Sequence, residues 1–344
     1  MIYILLITTI AIFVNFSLDC NCKKKISLNS KLSYGNLLSL RGLLSLVIIY
    51  HHLIVCCTLN IQHGMITTLL SHMGYLCVAV FLFLSGLGLE FQSNSKGKAY
   101  LYSLPSKIKF LLLVFLYINA TYFLLSPLYS TYTESFKSLY LGIISGTFIS
   151  GPSWYLVNLI VLYGLYYFSK KHRHFLIILL GGGICLNLLY ICLDYPAIWG
   201  ISNMSFYIGI LSAQYITKKD IVISHWLILL LSICLFVVFT AISLLPEFNR
   251  ENWKYICQLL STPFFSILII LLYMLVEPKR NLFNFFGRYS LEIFLIHVLI
   301  YKILRGNYIQ VDNDFVFIGL TVLISVTISI PMNYINKLIS KYIK

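Results

Sequence analysis

Long apolar runs recur along the whole chain and are separated by short polar segments. The runs are continuously apolar rather than alternating, which predicts α-helices and argues against the strands of a membrane barrel. Their lengths cluster around the ~20 residues that a helix needs to cross a bilayer. Ten core transmembrane helices are predicted, at residues 37–58, 73–91, 109–127, 153–168, 174–192, 197–216, 222–245, 255–276, 288–304 and 315–336.

Residues 1–18 form an eleventh, weaker apolar run. No basic residue precedes it and no clear small-residue cleavage site follows it, so a cleaved signal peptide is not expected. We expect an extra N-terminal helix that begins outside the cell, with an interfacial segment as the alternative. The chain then divides into this hydrophobic segment with a basic cytosolic linker, residues 1–32, and a membrane domain, residues 33–344.

The polar connections give three further expectations. Residues 92–109 contain four lysines and four serines and are expected to form a basic cytosolic loop. Residues 128–152 are expected to form an outer loop, whose half-apolar stretch 138–150 is too short to span and is predicted as a re-entrant or surface helix. Three consecutive glycines, residues 181–183, predict a break in one helix.

Composition excludes a soluble fold. Of the 344 residues, 59% are hydrophobic and only 10% are charged, which is more apolar surface than a soluble chain of this length could hide. We therefore expect an all-α, polytopic integral membrane helical bundle. The nine cysteines are scattered without a C-x-x-C pair, so we interpret them as small apolar residues and expect no metal site.

Membrane topology accounts for the net charge of +14. If residues 19–36 are cytosolic and the ten helices alternate, 20 of the 25 Lys and Arg residues lie at the cytosolic side, as the positive-inside rule predicts. The expected location is the cell membrane, with a cytosolic C-terminus and membrane lipids as surroundings. The excess of basic over acidic residues then requires no nucleic-acid partner.

Arg41 and His52 are the most informative polar residues, since both lie in the first core helix with ten residues between them. Eleven helical steps of about 100° come within about 20° of three full turns, so the two side chains share one face about 16 Å apart along the axis. Ionisable groups at bilayer depth usually face a bundle interior or a wet cavity. The alternatives are a packed histidine and an arginine anchored at the headgroups, and the adjacent His51 competes for the histidine role.

Four motifs occur in a fixed order along the chain. They are Leu40-Arg-Gly42 followed by His52, the segment Gly74–Gly88 with Ser85-Gly86, the segment Trp154–Tyr163 with Asn158, and the segment Phe286–His297 with Ser290 and Glu292. Together with the ten-helix topology, these motifs resemble the acyltransferase 3 family of membrane-bound O-acyltransferases, over about residues 33–337.

The resemblance implies acyl transfer from cytosolic acyl-CoA, with acetyl-CoA as the expected donor, to a hydroxyl group of a glycan. His52 corresponds to the family histidine thought to act as the base, and Arg41 to the basic residue thought to assist at the donor. A neutral imidazole can take the proton of a sugar hydroxyl as its oxygen attacks a thioester carbonyl.

Three further residues are candidates for binding the donor. The family often has arginines shortly before the third core helix, where this chain has Lys107 and Lys109. Lysine serves as a point charge for phosphate but lacks the bidentate fork of arginine. Ser85, expected near the cytosolic end of the second core helix, could line the donor channel, and close helix packing at small residues is the alternative.

Four residues are candidates on the acceptor side. Trp154 could flank a sugar ring or belong to the interfacial aromatic belt. Asn158 stands near a position where many relatives have glutamate, so any role of that carboxylate must differ here. His297 and Glu292 lie in the ninth core helix about 140° apart, and Glu292 could instead pair with Arg288, four residues earlier.

The resemblance implies an integral membrane O-acetyltransferase acting on a capsular, exopolysaccharide or lipid-linked sugar. The bundle would complete transfer alone or with a partner, such as a glycan-assembly protein or a second copy of the chain. Two other classes remain open. A transporter or flippase of polysaccharide precursors predicts broken helices in corresponding halves. A non-catalytic subunit of a glycan-assembly complex is disfavoured by the presence of both Arg41 and His52.

Overall fold

The computed structural model describes residues 34–57, 65–218, 225–244, 251–275 and 280–343. Within these ranges the chain is helical, and its only β-contact is one isolated bridge between Arg305 and Gln310. The helices are α1 (Tyr34–Cys56), α2 (Met65–Lys96), α3 (Lys98–Leu124), α4 (Tyr132–Ser145), α5 (Trp154–Lys170), α6 (Phe175–Cys192), α7 (Asn203–Lys218), α8 (His225–Leu244), α9 (Glu251–Leu275), α10 (Arg280–Arg288), α11 (Ser290–Leu304) and α12 (Asp314–Ile343). The predicted all-α membrane bundle is confirmed.

Each of the ten predicted core helices has a counterpart among these elements. Six segments are long and apolar enough to cross a membrane, namely Leu37–Cys56, His72–Lys96, Lys98–Leu124, Phe175–Cys192, Trp253–Tyr273 and Asp314–Ile343. The predicted N-terminal helix at residues 1–18 lies outside the described residues.

The predicted basic loop at residues 92–109 is wrong, because this segment is helical on both sides of a single residue. Helix α2 continues to Lys96 and α3 begins at Lys98. Between them Gly97 has a φ of 60°, a left-handed conformation that glycine adopts at little steric cost. Its N–H donates to the Ser93 carbonyl. Lysine and glutamine are good helix formers, so a polar composition does not end the helices here.

The predicted break at residues 181–183 is also wrong. Helix α6 is continuous from Phe175 to Cys192. In an apolar surrounding every backbone group must find an internal partner, which keeps even glycines helical. The missing side chains are used for packing, since a Cβ at Gly182 would meet Leu165 and one at Gly183 would meet Tyr207.

Helix α4 forms the short helix expected in the outer connection, at residues 132–145 rather than 138–150. The Thr131 side chain caps it by accepting the Glu134 N–H at 3.2 Å, and Gly146 ends it with a φ of 68°. Tyr132, Phe136 and Tyr140 recur at every fourth position and are exposed. This helix therefore lies on the surface of the bundle.

Helix α11 lies at the centre of the bundle. Its side chains from Glu292 to Tyr301 are all buried, and α1 and α12 pack against it. The Tyr122 hydroxyl of α3 donates to the Leu295 carbonyl at 2.9 Å. Helix α1 contacts α2 and α10 as well as α11, so polar side chains of α1, α2 and α11 can meet inside the apolar core.

Candidate functional site

A close crossing of α2 and α7 positions Ser85. A Cβ at Gly86 would collide with the Phe206 carbonyl oxygen, and a Cβ at Gly209 would collide with the Phe83 carbonyl oxygen. Small residues let helix backbones approach closely in membranes. Gly86 therefore forms the close packing expected of small residues, and Ser85 stands beside it. Ser85 does not end its helix, because α2 continues to Lys96.

A second crossing of the same type positions Arg41. A Cβ at Gly42 of α1 would collide with the Phe283 carbonyl oxygen of α10, and a Cβ at Gly287 would collide with the Leu38 carbonyl oxygen. The backbone of α1 is thereby held against α10 next to Arg41.

His52 of α1 and His297 of α11 form a hydrogen-bonded pair inside the bundle. The His52 Nδ1 and His297 Nε2 atoms are 3.2 Å apart, and the ring centroids are 4.8 Å apart. His52 Nδ1 is also 3.0 Å from the Ile48 carbonyl oxygen, and His297 Nδ1 is 3.0 Å from the Ile293 carbonyl oxygen. Each imidazole thus contacts the carbonyl four residues earlier on its own helix.

These contacts assign the protons of both neutral imidazoles. A carbonyl oxygen only accepts, so Nδ1 carries the hydrogen in His52 and in His297. The Nε2 atom of His297 then has a lone pair, which faces the Nδ1–H of His52. The Nε2 atom of His52 also keeps a lone pair and is the basic atom of the pair. His52 is half-buried, whereas His297 has no exposed surface.

His51 has different surroundings from His52. Its ring lies against Gly74 of α2, where a Cβ would overlap it. The His51 and His52 ring centroids are 5.1 Å apart, with the rings nearly perpendicular. The two adjacent histidines therefore face different helices, and it is His52 that meets His297.

Arg41 and Ser85 converge with two tyrosines of α5. Ser85 lies near both Tyr155 and Tyr163, and the charge of Arg41 acts on both tyrosines. The Tyr155 ring packs on Phe294 at a centroid distance of 5.3 Å, and Phe294 packs on His297 at 6.2 Å. Arg41 of α1, Ser85 of α2 and the two tyrosines of α5 thus lie in one region. The contacts of Phe294 connect this region to the histidine pair.

The structure separates the two lysines that were candidates for binding the donor. Lys107 Nζ donates to the Tyr100 hydroxyl at 2.6 Å and lies 4.2 Å above that ring. Tyr100 in turn neighbours Tyr163. Lys109, two residues later, is exposed on another side of α3. We call Lys107, Tyr100, Tyr163, Ser85 and Arg41 the tyrosine row.

Trp154 belongs to an aromatic cluster at the start of α5. Its ring centroid is 6.1 Å from that of Trp199 and 6.3 Å from that of Tyr155. The Trp199 indole N–H donates to the Gly146 carbonyl at 2.9 Å, which ties the cluster to the end of α4. Trp154 is half-buried, so part of the residue is exposed.

Asn158 is fully buried in a chain of side-chain amides. Its Nδ2 donates to Asn203 Oδ1 at 2.7 Å, and its Oδ1 accepts from the Tyr190 hydroxyl at 3.1 Å. Asn203 donates onward to Asn187 at 3.3 Å. These bonds join α5, α6 and α7. The geometry gives Asn158 a role in packing these helices rather than an open position for a substrate.

Glu292 is held by amides of α12 and not by Arg288. Its Oε1 accepts from Asn333 at 2.9 Å and from Asn336 at 2.6 Å, and the Tyr117 hydroxyl donates to Asn336 at 3.0 Å. Among the ion pairs of the described residues none joins Glu292 to Arg288, whose side chain is exposed. The amides of α12 thus take the place of the alternative pairing with Arg288.

Sequence reasoning missed a buried ion pair between α2 and α5. Glu90 is 1% exposed, and its Oε1 lies 2.7 Å from Lys170 Nζ. The Tyr166 hydroxyl donates to it at 2.7 Å and Gln214 at 3.1 Å. The available signal was that Glu90 is the only acidic residue of α2. Tyr155 and Tyr163 were also missed, although both lie within the third motif.

The fold defines a multi-pass membrane protein with a buried polar centre. Residues 34–334 match the acyltransferase 3 family, described as an acyltransferase domain. Because the match covers most of the chain, the protein belongs to this family, and the resemblance predicted from the four motifs is confirmed. The protein is therefore a membrane acyltransferase at the level of the family. No curated protein and no solved structure matches the chain.

Proposed function

We propose that the protein is an integral membrane O-acyltransferase that moves an acyl group from cytosolic acyl-CoA to a hydroxyl group of a glycan. The proposed acyl group is acetyl, and the proposed acceptor is a cell-surface, capsular or exopolysaccharide glycan. The observation that carries the proposal is the orientation of His52, whose Nδ1 contacts the Ile48 carbonyl and His297. This leaves Nε2 as a base in a half-buried position of the core.

In the proposed reaction, His52 Nε2 takes the proton of the acceptor hydroxyl as its oxygen attacks the thioester carbonyl. The tetrahedral intermediate collapses by breaking the carbon–sulfur bond. The departing thiolate takes the proton from His52, so the products are an O-acyl ester and the free thiol of coenzyme A. His52 returns to its neutral form and the cycle needs no other reactant.

The tyrosine row is the proposed path of the donor. Lys107 supplies a positive charge at one end, suited to the phosphates of coenzyme A. Tyr100, Tyr163 and Ser85 supply hydroxyl groups along the path. Arg41, expected at the cytosolic mouth, assists at the nucleotide end, and the thioester reaches inward to His52.

The acceptor is proposed to approach from the opposite side. The partly exposed Trp154 in its aromatic cluster is suited to stacking against a sugar ring. A glycan or a lipid-linked sugar would then present its hydroxyl to His52 from the outer side of the cell membrane. The C-terminus would be cytosolic, as the distribution of Lys and Arg predicts.

A transporter of polysaccharide precursors is less well supported. That function predicts helices broken at matching places in two halves, and the glycine run that suggested one such break lies in the continuous helix α6. A non-catalytic subunit would have no use for a base that is oriented by two hydrogen bonds.

The test is His52→Ala, with His51→Ala as the matched control on the adjacent residue. Cells in which a variant is the sole form of the protein are assayed for the O-acetyl content of their glycans. The variants are compared at equal abundance in the membrane. We expect His52→Ala to lower transfer by about 10²- to 10⁴-fold, the usual contribution of general base catalysis, and His51→Ala to retain most of it. Unchanged acetylation with His52→Ala would show that the base is assigned wrongly.

Thermal unfolding with acetyl-CoA separates the classes. A purified acyltransferase is stabilised by its donor, because a ligand that binds only the folded state shifts unfolding. We expect stabilisation in the wild type and in His52→Ala. No stabilisation of either protein would favour a transporter or a structural subunit.

A further inference from the structure

We propose that His297 is a positioning residue for the transfer reaction, which accepts the Nδ1–H of His52 and stabilises the imidazolium that His52 becomes when it takes the acceptor proton. The inference rests on the proposed function and adds a second residue to it. It also changes the role expected for His297, from substrate binding to support of the base.

Burial places His297 behind His52. His297 has no exposed surface, while His52 is half-buried. His297 Nδ1 is engaged by the Ile293 carbonyl at 3.0 Å and its Nε2 by His52 at 3.2 Å. Both ring nitrogens are therefore used within the protein, and a substrate would meet His52 first.

The hydrogen bond between the rings has a direction. His297 Nδ1 must donate to its own helix carbonyl, so Nε2 offers only a lone pair. The single hydrogen of His52 Nδ1 lies between that lone pair and the Ile48 carbonyl at 3.0 Å. These two acceptors share the Nδ1–H and hold the His52 ring so that Nε2 points away from them. In the proposed reaction, the acceptor hydroxyl must approach this Nε2 atom.

The same bond becomes stronger during the reaction. When His52 Nε2 gains a proton, its Nδ1–H belongs to a cation, and hydrogen bonds from charged donors are stronger than neutral ones. A neutral imidazole provides this support without a second buried charge, which would be expensive inside a bilayer. The titratable groups that act on His52 are His297 on α11 and His51 on its own helix.

A packing role alone does not account for this arrangement. Phe294, Leu295 and Ile296, which precede His297 on α11, are apolar and buried, so an apolar side chain would fill the same space without a polar group to satisfy. The His297 imidazole instead has one acceptor nitrogen, Nε2, which faces the single N–H of His52. The tautomers assigned to His52 and His297 form this hydrogen bond without any rearrangement of the structure.

The experiment compares three replacements of His297 that differ in reach and polarity. In His297→Gln the amide oxygen can take the place of Nε2 as an acceptor. In His297→Asn the side chain is too short to reach His52, and in His297→Phe the volume is filled without an acceptor. Transfer from radiolabelled acetyl-CoA is measured on membrane vesicles. The vesicles are prepared from cells in which the protein occurs naturally, so that they contain the acceptor.

We expect His297→Gln to stay within a few-fold of wild type. We expect His297→Asn and His297→Phe to lose roughly 10- to 100-fold in kcat, the range for one hydrogen bond to a charged group, with the KM for acetyl-CoA unchanged. The acidic limb of the pH–rate profile should move to lower pH in His297→Phe, because His52 then loses the acceptor for its protonated form. A role in packing would not move that limb.

Two results would overturn the inference. One is a kcat for His297→Phe within twofold of wild type, and the other is a His297→Gln protein as impaired as His297→Asn. If His297→Phe does not accumulate in membranes, the comparison of Gln with Asn decides. The proposed function is tested separately, since it fails if His52→Ala keeps its activity, whereas an inactive His52→Ala beside an active His297→Phe rejects only the role of His297.

Discussion

Gly86 of α2 and Gly209 of α7 lie in reciprocal contact, each against a backbone carbonyl of the other helix. Two residues further along α2, Gly88 has open space where a Cβ would stand. The two glycines of α2 therefore make a matched pair for testing whether the crossing requires the absence of a side chain.

We expect Gly86→Ala to lower the free energy of unfolding by about 1–3 kcal/mol, the usual cost of overpacking. Gly88→Ala should be neutral or stabilising by up to about 1 kcal/mol, since alanine favours a helix over glycine. Thermal unfolding of the purified proteins in one detergent measures both. Equal effects of the two substitutions would mean that the crossing tolerates a methyl group.

The buried pair of Glu90 and Lys170 predicts an unequal response to losing either partner. Glu90 is 1% exposed and Lys170 is 21% exposed, so the lysine can turn toward water when alone, but the carboxylate cannot. We expect Lys170→Met to cost more stability than Glu90→Gln, with removal of one partner of a buried pair costing about 3–5 kcal/mol.

The double substitution of Glu90 and Lys170 completes this test. We expect it to be less destabilising than the sum of the single changes, because no unpaired charge remains. Additive effects in thermal unfolding would show that the two groups are not coupled in the folded protein.

The donor path predicts different kinetics for two neighbouring lysines. Lys107→Gln removes the charge that donates to Tyr100 at 2.6 Å and should raise the KM for acetyl-CoA about tenfold, the order of one charged hydrogen bond. Lys109→Gln, at an exposed position of the same helix, should leave the KM near wild type. Equal effects in the vesicle assay would place the donor elsewhere.

The amide contacts of Glu292 predict a stability effect on α12. Asn336→Leu removes the 2.6 Å bond to the carboxylate and the acceptor of the Tyr117 hydroxyl. We expect a loss of about 1–3 kcal/mol, the cost of leaving a buried polar group unpaired. Lys337→Gln, at the next and exposed residue, should change the free energy of unfolding by less than about 0.5 kcal/mol. Similar values for both would remove Asn336 from the network.

The helices were predictable because continuous apolar runs have few other solutions in a bilayer. The connection at Gly97 was not, because lysine and serine are compatible with either a loop or a helix. The break predicted at residues 181–183 does not occur, because the apolar surroundings keep the backbone hydrogen-bonded and outweigh the tendency of glycine to break a helix.

The candidate site was predictable to the extent that one helix carries it. The spacing of Arg41 and His52 places them on one face, and the continuous helix α1 agrees with that. Their partners come from distant parts of the chain, since His297 lies 245 residues from His52 and Lys170 lies 80 residues from Glu90. No local pattern predicts such pairs, and 26 tyrosines gave no reason to select Tyr155 and Tyr163.

The one-residue turn at Gly97 has a consequence for binding. Helices of 32 and 27 residues meet there, so Ser85 and Lys107 belong to a stiff hairpin with no slack between its arms. A connection of one residue gives the two helix ends little freedom to separate, so we expect little backbone entropy to be lost if the donor binds along the proposed path. A longer connection would let Ser85 and Lys107 move relative to each other, and we expect that the affinity for the proposed donor would then fall even with every contact retained.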